Sequence, residues 1–205
     1  MHSMEQGFQS SAMTRGDLRL VAATAQLAAA ELAGPHKLAA LLRAEVGPGW
    51  PPGEYDRDAQ QFFLERLTQG GEAAAGWYCW YALLDRGPGR SPAMVGAGGY
   101  LGPPDGQGVV EIGFSVLPAW QGQGLATAMA ADLVENAFRD DRVRTVAAQT
   151  FDSNMPSRKV LEKCGFLFTG MDQASGTMRY EMSRPCTNRL PPGPESPTRR
   201  NRRPS

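Results

Sequence analysis

Histidine is nearly missing from this 205-residue chain, which holds only His2 and His36. That shortage argues against a histidine-rich metal centre and against a Ser-His-Asp triad. Cysteine is scarce as well. Cys79, Cys164 and Cys186 stand at wide, irregular spacing that fits neither a disulfide framework nor a zinc pattern. No apolar run approaches the roughly 20 residues of a membrane helix. The opening MHSMEQGFQS lacks the basic start and apolar stretch of a secretory signal. A reducing, cytoplasmic setting without a membrane partner is expected. Formal net charge is zero but unevenly spread, and an Arg-rich C-terminal stretch that could touch nucleic acid or an acidic surface is expected instead to be a solvated tail. A monomer and a homodimer stay equally open.

What is abundant is glycine and proline, 24 and 16 residues, about one residue in five against a typical ~12%. Part of the excess falls at the C-terminus. Residues 185–205 (PCTNRLPPGPESPTRRNRRPS) carry five Arg, one acid and six Pro, a composition with nothing to bury that reads as disordered. Residues 1–15 look similarly loose, leaving 16–184 as one domain of ordinary size. Within it the periodicity alternates. Strands are expected at 17–23, 77–84, 92–101, 109–118, 143–151, 166–170 and 178–182. Helices are expected at 24–33, 36–46, 56–68, from Leu125 on, and from Met155 on. The Gly47–Gly53 run (GPGWPPG) must be a loop. The fold class is α+β, with a mostly antiparallel meander of six to seven strands.

Val109 to Pro118 (VVEIGFSVLP) carries the most information. Val110, Ile112, Phe114 and Val116 share one face of a strand, and Glu111, Gly113 and Ser115 the other. Glu111 is thus a carboxylate on a central strand. If no fixed cation accompanies it, burial pushes its pKa upward and suits it to general-base work; the bland alternative is a Glu paired with an Arg or lying on an open face. Ala119 to Thr127 (AWQGQGLAT) then turns into a helix striped by Leu125, Met129, Leu133 and Ala137. A strand, a glycine-rich turn and a helix start make an anion site, because unbonded N–H groups and the helix dipole both favour a pyrophosphate. A mononucleotide P-loop is excluded, since no Lys follows the glycines. A dinucleotide fingerprint is a poor fit, because Thr127 takes its last position and Asp152 lies too far on for the ribose-binding acid. A nicotinamide-dependent reading survives only if NAD(P) binds.

Gln121-Gly122-Gln123-Gly124-Leu125-Ala126 matches the Q/R-x-x-G-x-G/A motif, and Asn154-Met155-Pro156-Ser157 leading to Lys163-Cys164-Gly165-Phe166 resembles an N-x-x-S…K-x-G-F helix. With VEIGFSVLP before them, the three blocks in order over 109–170 resemble the Gcn5-related N-acetyltransferase (GNAT) superfamily. The match is nearest to its ribosomal-protein N-terminal acetyltransferase-like branch. The resemblance implies acetyl-coenzyme A as co-substrate and direct transfer of acetyl to a primary amine, on a protein N-terminus or a small molecule. It places the co-substrate on Phe114, Ser115 and Val116, on Gln121, Gly122, Gln123, Gly124, Leu125, Ala126 and Thr127, and on Asn154 and Ser157. Asn154 also reads simply as a helix cap.

On that reading Glu111 accepts the amine's proton, and a backbone N–H of 114–116, Val116 above all, donates to the thioester oxygen. Many members carry a Tyr in the second helix to protonate the leaving thiolate. Leu161 stands there in this chain, so Ser157, a water, Tyr180 or no acid at all must serve. Cys164 reads as helix packing rather than as a nucleophile. The acceptor is expected near residues 24–68. There Trp50 either frames a cation beside Asp56 and Asp58 or pins its loop to the core. A non-catalytic coenzyme A-binding sensor or scaffold is the alternative to an enzyme.

Overall fold

The computed structural model describes residues 12–15 and 17–185. The elements run β1 (Ala12–Arg15), β2 (Leu18–Ala22), α1 (Ala25–Leu32), α2 (Pro35–Leu42), β3 (Glu45–Val46), α3 (Arg57–Gly70), β4 (Cys79–Leu84), β5 (Ala93–Tyr100), β6 (Val109–Val116), α4 (Leu125–Ala137), β7 (Thr145–Thr150), α5 (Met155–Lys163), β8 (Leu167–Met171) and β9 (Met178–Ser183). One sheet takes the order β1-β2-β4-β5-β6-β7-β9-β8, with β3 added to β5. All contacts are antiparallel except β6 with β7 and β3 with β5. The fold is mixed α+β, as the patterning predicts.

Local chemistry explains where the helices begin. Thr24 Oγ1 accepts from Leu27 N at 3.3 Å and Asp56 Oδ1 from Ala59 N at 3.0 Å, caps worth about 1 kcal/mol each. Pro35 opens α2, where its missing N–H costs nothing. The sheet separates two cores. Val110, Ile112 and Val116 pack with Met129, Leu133 and Ala137 of α4 and Leu161 of α5. On the other face Val21, Tyr81, Leu83 and Ala97 pack with Leu27 of α1, Leu38 of α2 and Leu67 of α3. The face assignment read from β6 therefore holds.

All seven expected strands are present, and two short ones are added. Residues 12–15, read as part of a loose segment, pair with 18–21 as β1. The helix expected to reach residue 46 stops at Leu42, where Arg43 adopts φ 51° and ψ 45° and turns the chain. Glu45 and Val46 then pair with Ala93 and Met94 as β3. Both corrections have one cause. Such strands are held by main-chain bonds to a neighbour, and main-chain bonding leaves no mark in hydrophobic periodicity. The readings made for 1–11 and 186–205 lie outside the described residues.

Candidate active site

Strands β6 and β7 pair only as far as Ile112–Ala148, although β6 continues to Val116 and β7 to Thr150. Beyond that point the two strands part and leave a wedge. The antiparallel ladder to β5 fixes which groups face it. Leu101 N donates to Glu111 O at 3.0 Å and Leu117 N to Val95 O at 2.9 Å. Odd-numbered residues of β6 therefore bond to β5, and the main-chain groups of Phe114 and Val116 point to the wedge. Val116 O accepts from Gln121 Nε2 at 2.9 Å. That bond ties the start of the glycine turn to the end of the strand and leaves the Val116 N–H facing the gap.

The turn then delivers a bare helix start. Gly122 and Gly124 have φ 76° and 79°, left-handed conformations that favour glycine. Gly124 caps α4 with no side-chain hydrogen bond, and the first turn carries no acid. Residues 121–124 are exposed. A Cβ on Gly122 or Gly124 would meet no protein atom within 4 Å, so the space above the amides is open to an approaching anion. Across the wedge, Asn154 Oδ1 accepts from Ser157 N at 3.2 Å and caps α5. The cap reading of Asn154 holds, and it occupies only the oxygen of the amide. Leu161 is buried in the sheet core, and Tyr180 is buried there too and meets Phe168 edge-on at 5.8 Å between ring centroids. Neither is placed to meet a leaving group from solvent. Cys164 Sγ lies 3.6 Å from Thr127 O, packed between α5 and α4.

On the opposite face of β6 lies a cavity of about 210 Å³, floored by Gly113 and Ser115 and walled by Tyr55, Phe63 and Leu101, with Glu54 at its side. The loop between β3 and α3 brings Glu54 and Tyr55 to that wall. It sits hard against β6, since a Cβ on Gly53 would collide with the Ser115 side chain. A buried carboxylate anchors it. Glu31 of α1, 3% exposed, accepts from Trp50 Nε1 at 2.8 Å, Tyr55 Oη at 2.7 Å, Gln60 Nε2 at 3.0 Å and Tyr81 Oη at 2.8 Å. Burial raises the Glu31 pKa, and the four donors only partly oppose it. Burial also pushes up the phenols of Tyr55 and Tyr81 and the thiol of Cys79, which donates to Tyr55 Oη at 3.3 Å. Trp50 thus pins its loop to the core.

Glu111 has company. Gln149 Nε2 donates to it at 3.3 Å, and Arg179 Nη1 stands 3.9 Å away while its Nε holds Glu181 at 2.7 Å. The premise of a carboxylate without a fixed cation is therefore not met; the alternative of a Glu paired with an Arg describes what is seen. Glu111 is two residues before Gly113 on the same face, outside the lining of the cavity. The structure thus brings Phe114, Val116 and the glycine turn to one wedge, with Asn154 and Ser157 at the α5 start, and sets Ser115 on the other side.

The strand pattern puts Gly113 on the pocket face of β6 without giving it a role, and neither Glu31 nor Glu54 stands out in that pattern. One signal was available: Glu31 is the only charge in the apolar helix AQLAAAEL. A charge isolated on a buried face needs partners.

Three comparisons bear on this arrangement. Residues 21–167 match the family model for the acetyltransferase (GNAT) domain. The chain is similar to an uncharacterized N-acetyltransferase, YjdG, from Bacillus subtilis, with 28% identity over 132 residues that cover 64% of this chain and 75% of the relative. Its fold resembles that of RimL, a ribosomal L7/L12 alpha-N-protein acetyltransferase, at TM-score 0.59 and 18% identity, covering 87% of this chain and 97% of the other. It also resembles the aminoglycoside acetyltransferase AAC(6')-Ib, solved with coenzyme A, at TM-score 0.53 and 21% identity, covering 82% and 95%. With a wedge between parting strands, a glycine turn at a bare helix start and a domain model matched over most of its length, the chain belongs to the GNAT acetyltransferase family.

Proposed function

We propose that the chain transfers acetyl from acetyl-coenzyme A to the nitrogen of a primary amine. The observation that carries this reading is the junction at Phe114–Val116. Main-chain donors there face the wedge on one side of the sheet, and a pocket floored by Gly113 and Ser115 opens on the other. A pyrophosphate fits the amides of Gly122 to Thr127, which carry no competing acid and no side-chain cap. The Asn154 amide nitrogen, left over from the cap, serves the pantetheine arm, with Ser157 beside it.

The thioester supplies an activated acyl carbon. The amine's lone pair forms the new C–N bond, the C–S bond breaks, and the thiolate leaves as a fairly stable anion of pKa ~8.5. The Val116 N–H donates to the negative charge that grows on the carbonyl oxygen. An amine of pKa ~8 to ~10.4 must shed a proton, and Glu111 takes it through a water. A second carboxylate competes for that role, because Glu54 lines the pocket and Glu111 does not.

Two measurements test this. At 100 times its Kd, acetyl-coenzyme A stabilises the fold by about 2.7 kcal/mol, a rise in melting temperature of about 5–10 °C for a domain this size. An unchanged melt together with a flat calorimetric trace rejects the reading. Binding without thiol release on any amine leaves a non-catalytic coenzyme A binder. Glu111→Gln is expected to lower kcat about 100-fold with acetyl-coenzyme A affinity intact. If Glu54→Gln gives the larger fall, the proton goes to Glu54.

A further inference from the structure

The pocket beside Gly113 restricts what can enter it. Its volume of about 210 Å³ lies below the ~300–1,000 Å³ of sites that enclose drug-sized ligands. Its walls are apolar, from Tyr55, Phe63 and Leu101, and Glu54 is the one formal charge on its lining among the described residues. The tyrosine hydroxyls add little polarity. Tyr55 Oη donates to Glu31, and Tyr100 Oη donates to the carbonyl of Leu133 at 2.6 Å. A ligand with several ammonium or hydroxyl groups would strip water from them here and find few partners in return.

Gly113 decides how much room remains. Its Cβ would point to the pocket side of β6 and meet nothing within 4 Å, and its backbone lies outside the left-handed region. Glycine is therefore required here neither by strand conformation nor by a close neighbour, and what it provides is space. Extending the acetyl-transfer reading above, we propose that this pocket selects a primary amine carried on a compact apolar or aromatic body, and that the absent side chain at Gly113 sets its depth. The Glu54 carboxylate meets the single ammonium group, and the carbon skeleton fills the space between Phe63 and Gly113.

Thiol release with the full chain tests the proposal on four sets of acceptors: phenylethylamine and isoamylamine, peptides beginning with Phe, Leu or Gly, spermidine, and kanamycin. The apolar amines, or the peptides beginning with Phe or Leu, are expected to exceed spermidine and kanamycin in kcat/KM by about 10-fold or more. Which of these two groups leads tells a free amine from a protein N-terminus. Gly113→Val is expected to cut kcat/KM for the favoured acceptor about 100-fold through KM, while calorimetry shows acetyl-coenzyme A affinity unchanged. Gly113→Ala, whose methyl meets no protein atom, gives the same order of losses on a smaller scale and serves if the Val variant does not fold. Preference for spermidine or kanamycin, or an acceptor profile unmoved by both variants, overturns the proposal while acetyl transfer itself stands. No release with any amine removes acetyl transfer, and this selectivity with it.

Discussion

Replacing Glu31 by alanine is expected to cost about 3 kcal/mol or more of stability, read as a lowered urea midpoint. The phenol of Tyr81, the phenol of Tyr55 and the Gln60 amide all lose their acceptor in a region where these residues are at most 9% exposed. Each buried donor left without a partner costs about 1–3 kcal/mol. Water entering from the side of Trp50 offsets part of that sum. Glu31→Gln should lose less, because phenol hydroxyls can turn and accept from an amide where they donated to a carboxylate. The Gln variant also isolates a pH effect. Burial raises the Glu31 pKa, so the folded chain holds this proton at pH values where the unfolded chain has released it. Stability therefore falls as pH rises above the ordinary carboxyl value of 4.5, until the folded state too is deprotonated. Glu31→Gln lacks that slope. The advantage of the wild type over the variant is largest in acid and shrinks toward neutrality, and equal slopes in paired denaturation series at several pH values would remove Glu31 as its source.

Gly124→Val should separate binding from folding. The left-handed backbone at φ 79° costs an L-residue about 1–2 kcal/mol, a modest loss because no protein atom stands near the new side chain. The same bulk would occupy the approach to the α4 amides. Acetyl-coenzyme A affinity is expected to drop about 100-fold, equivalent to about 2.7 kcal/mol. Calorimetry reads the affinity and urea denaturation the stability. A variant that binds as the wild type does moves the pyrophosphate away from this helix.

The donor half of the proposed site was legible in the sequence because its signals are local. A strand with two distinct faces, two glycines and a striped helix all fall within Val109 to Ala137, and Asn154 announces itself as a cap. The acceptor half is assembled from separated segments. Glu31 meets Gln60 across 29 positions and Tyr81 across 50, pairings that no periodicity encodes. The environment of Glu111 was out of reach for the same reason. Its identity as a carboxylate on a central strand is local, but Arg179 arrives from β9 and Gln149 from β7. The strands β1 and β3 escaped because they owe their existence to partners rather than to their own composition.

On the proposed function, the parting of β6 from β7 bears on how the two substrates are recognised. Amide rungs on Phe114, Val116 and the α4 entry belong to every amino acid alike, so substitutions along that track leave the grip on the donor's tether largely intact unless they bend the chain or, as at Gly124, set bulk over the amides. On that proposal the acceptor, by contrast, is read by what protrudes or fails to protrude at Gly113, Glu54 and Phe63. One substrate is then held mostly through main chain and the other through side chains, which lets such a protein drift to new amines while keeping its acyl source.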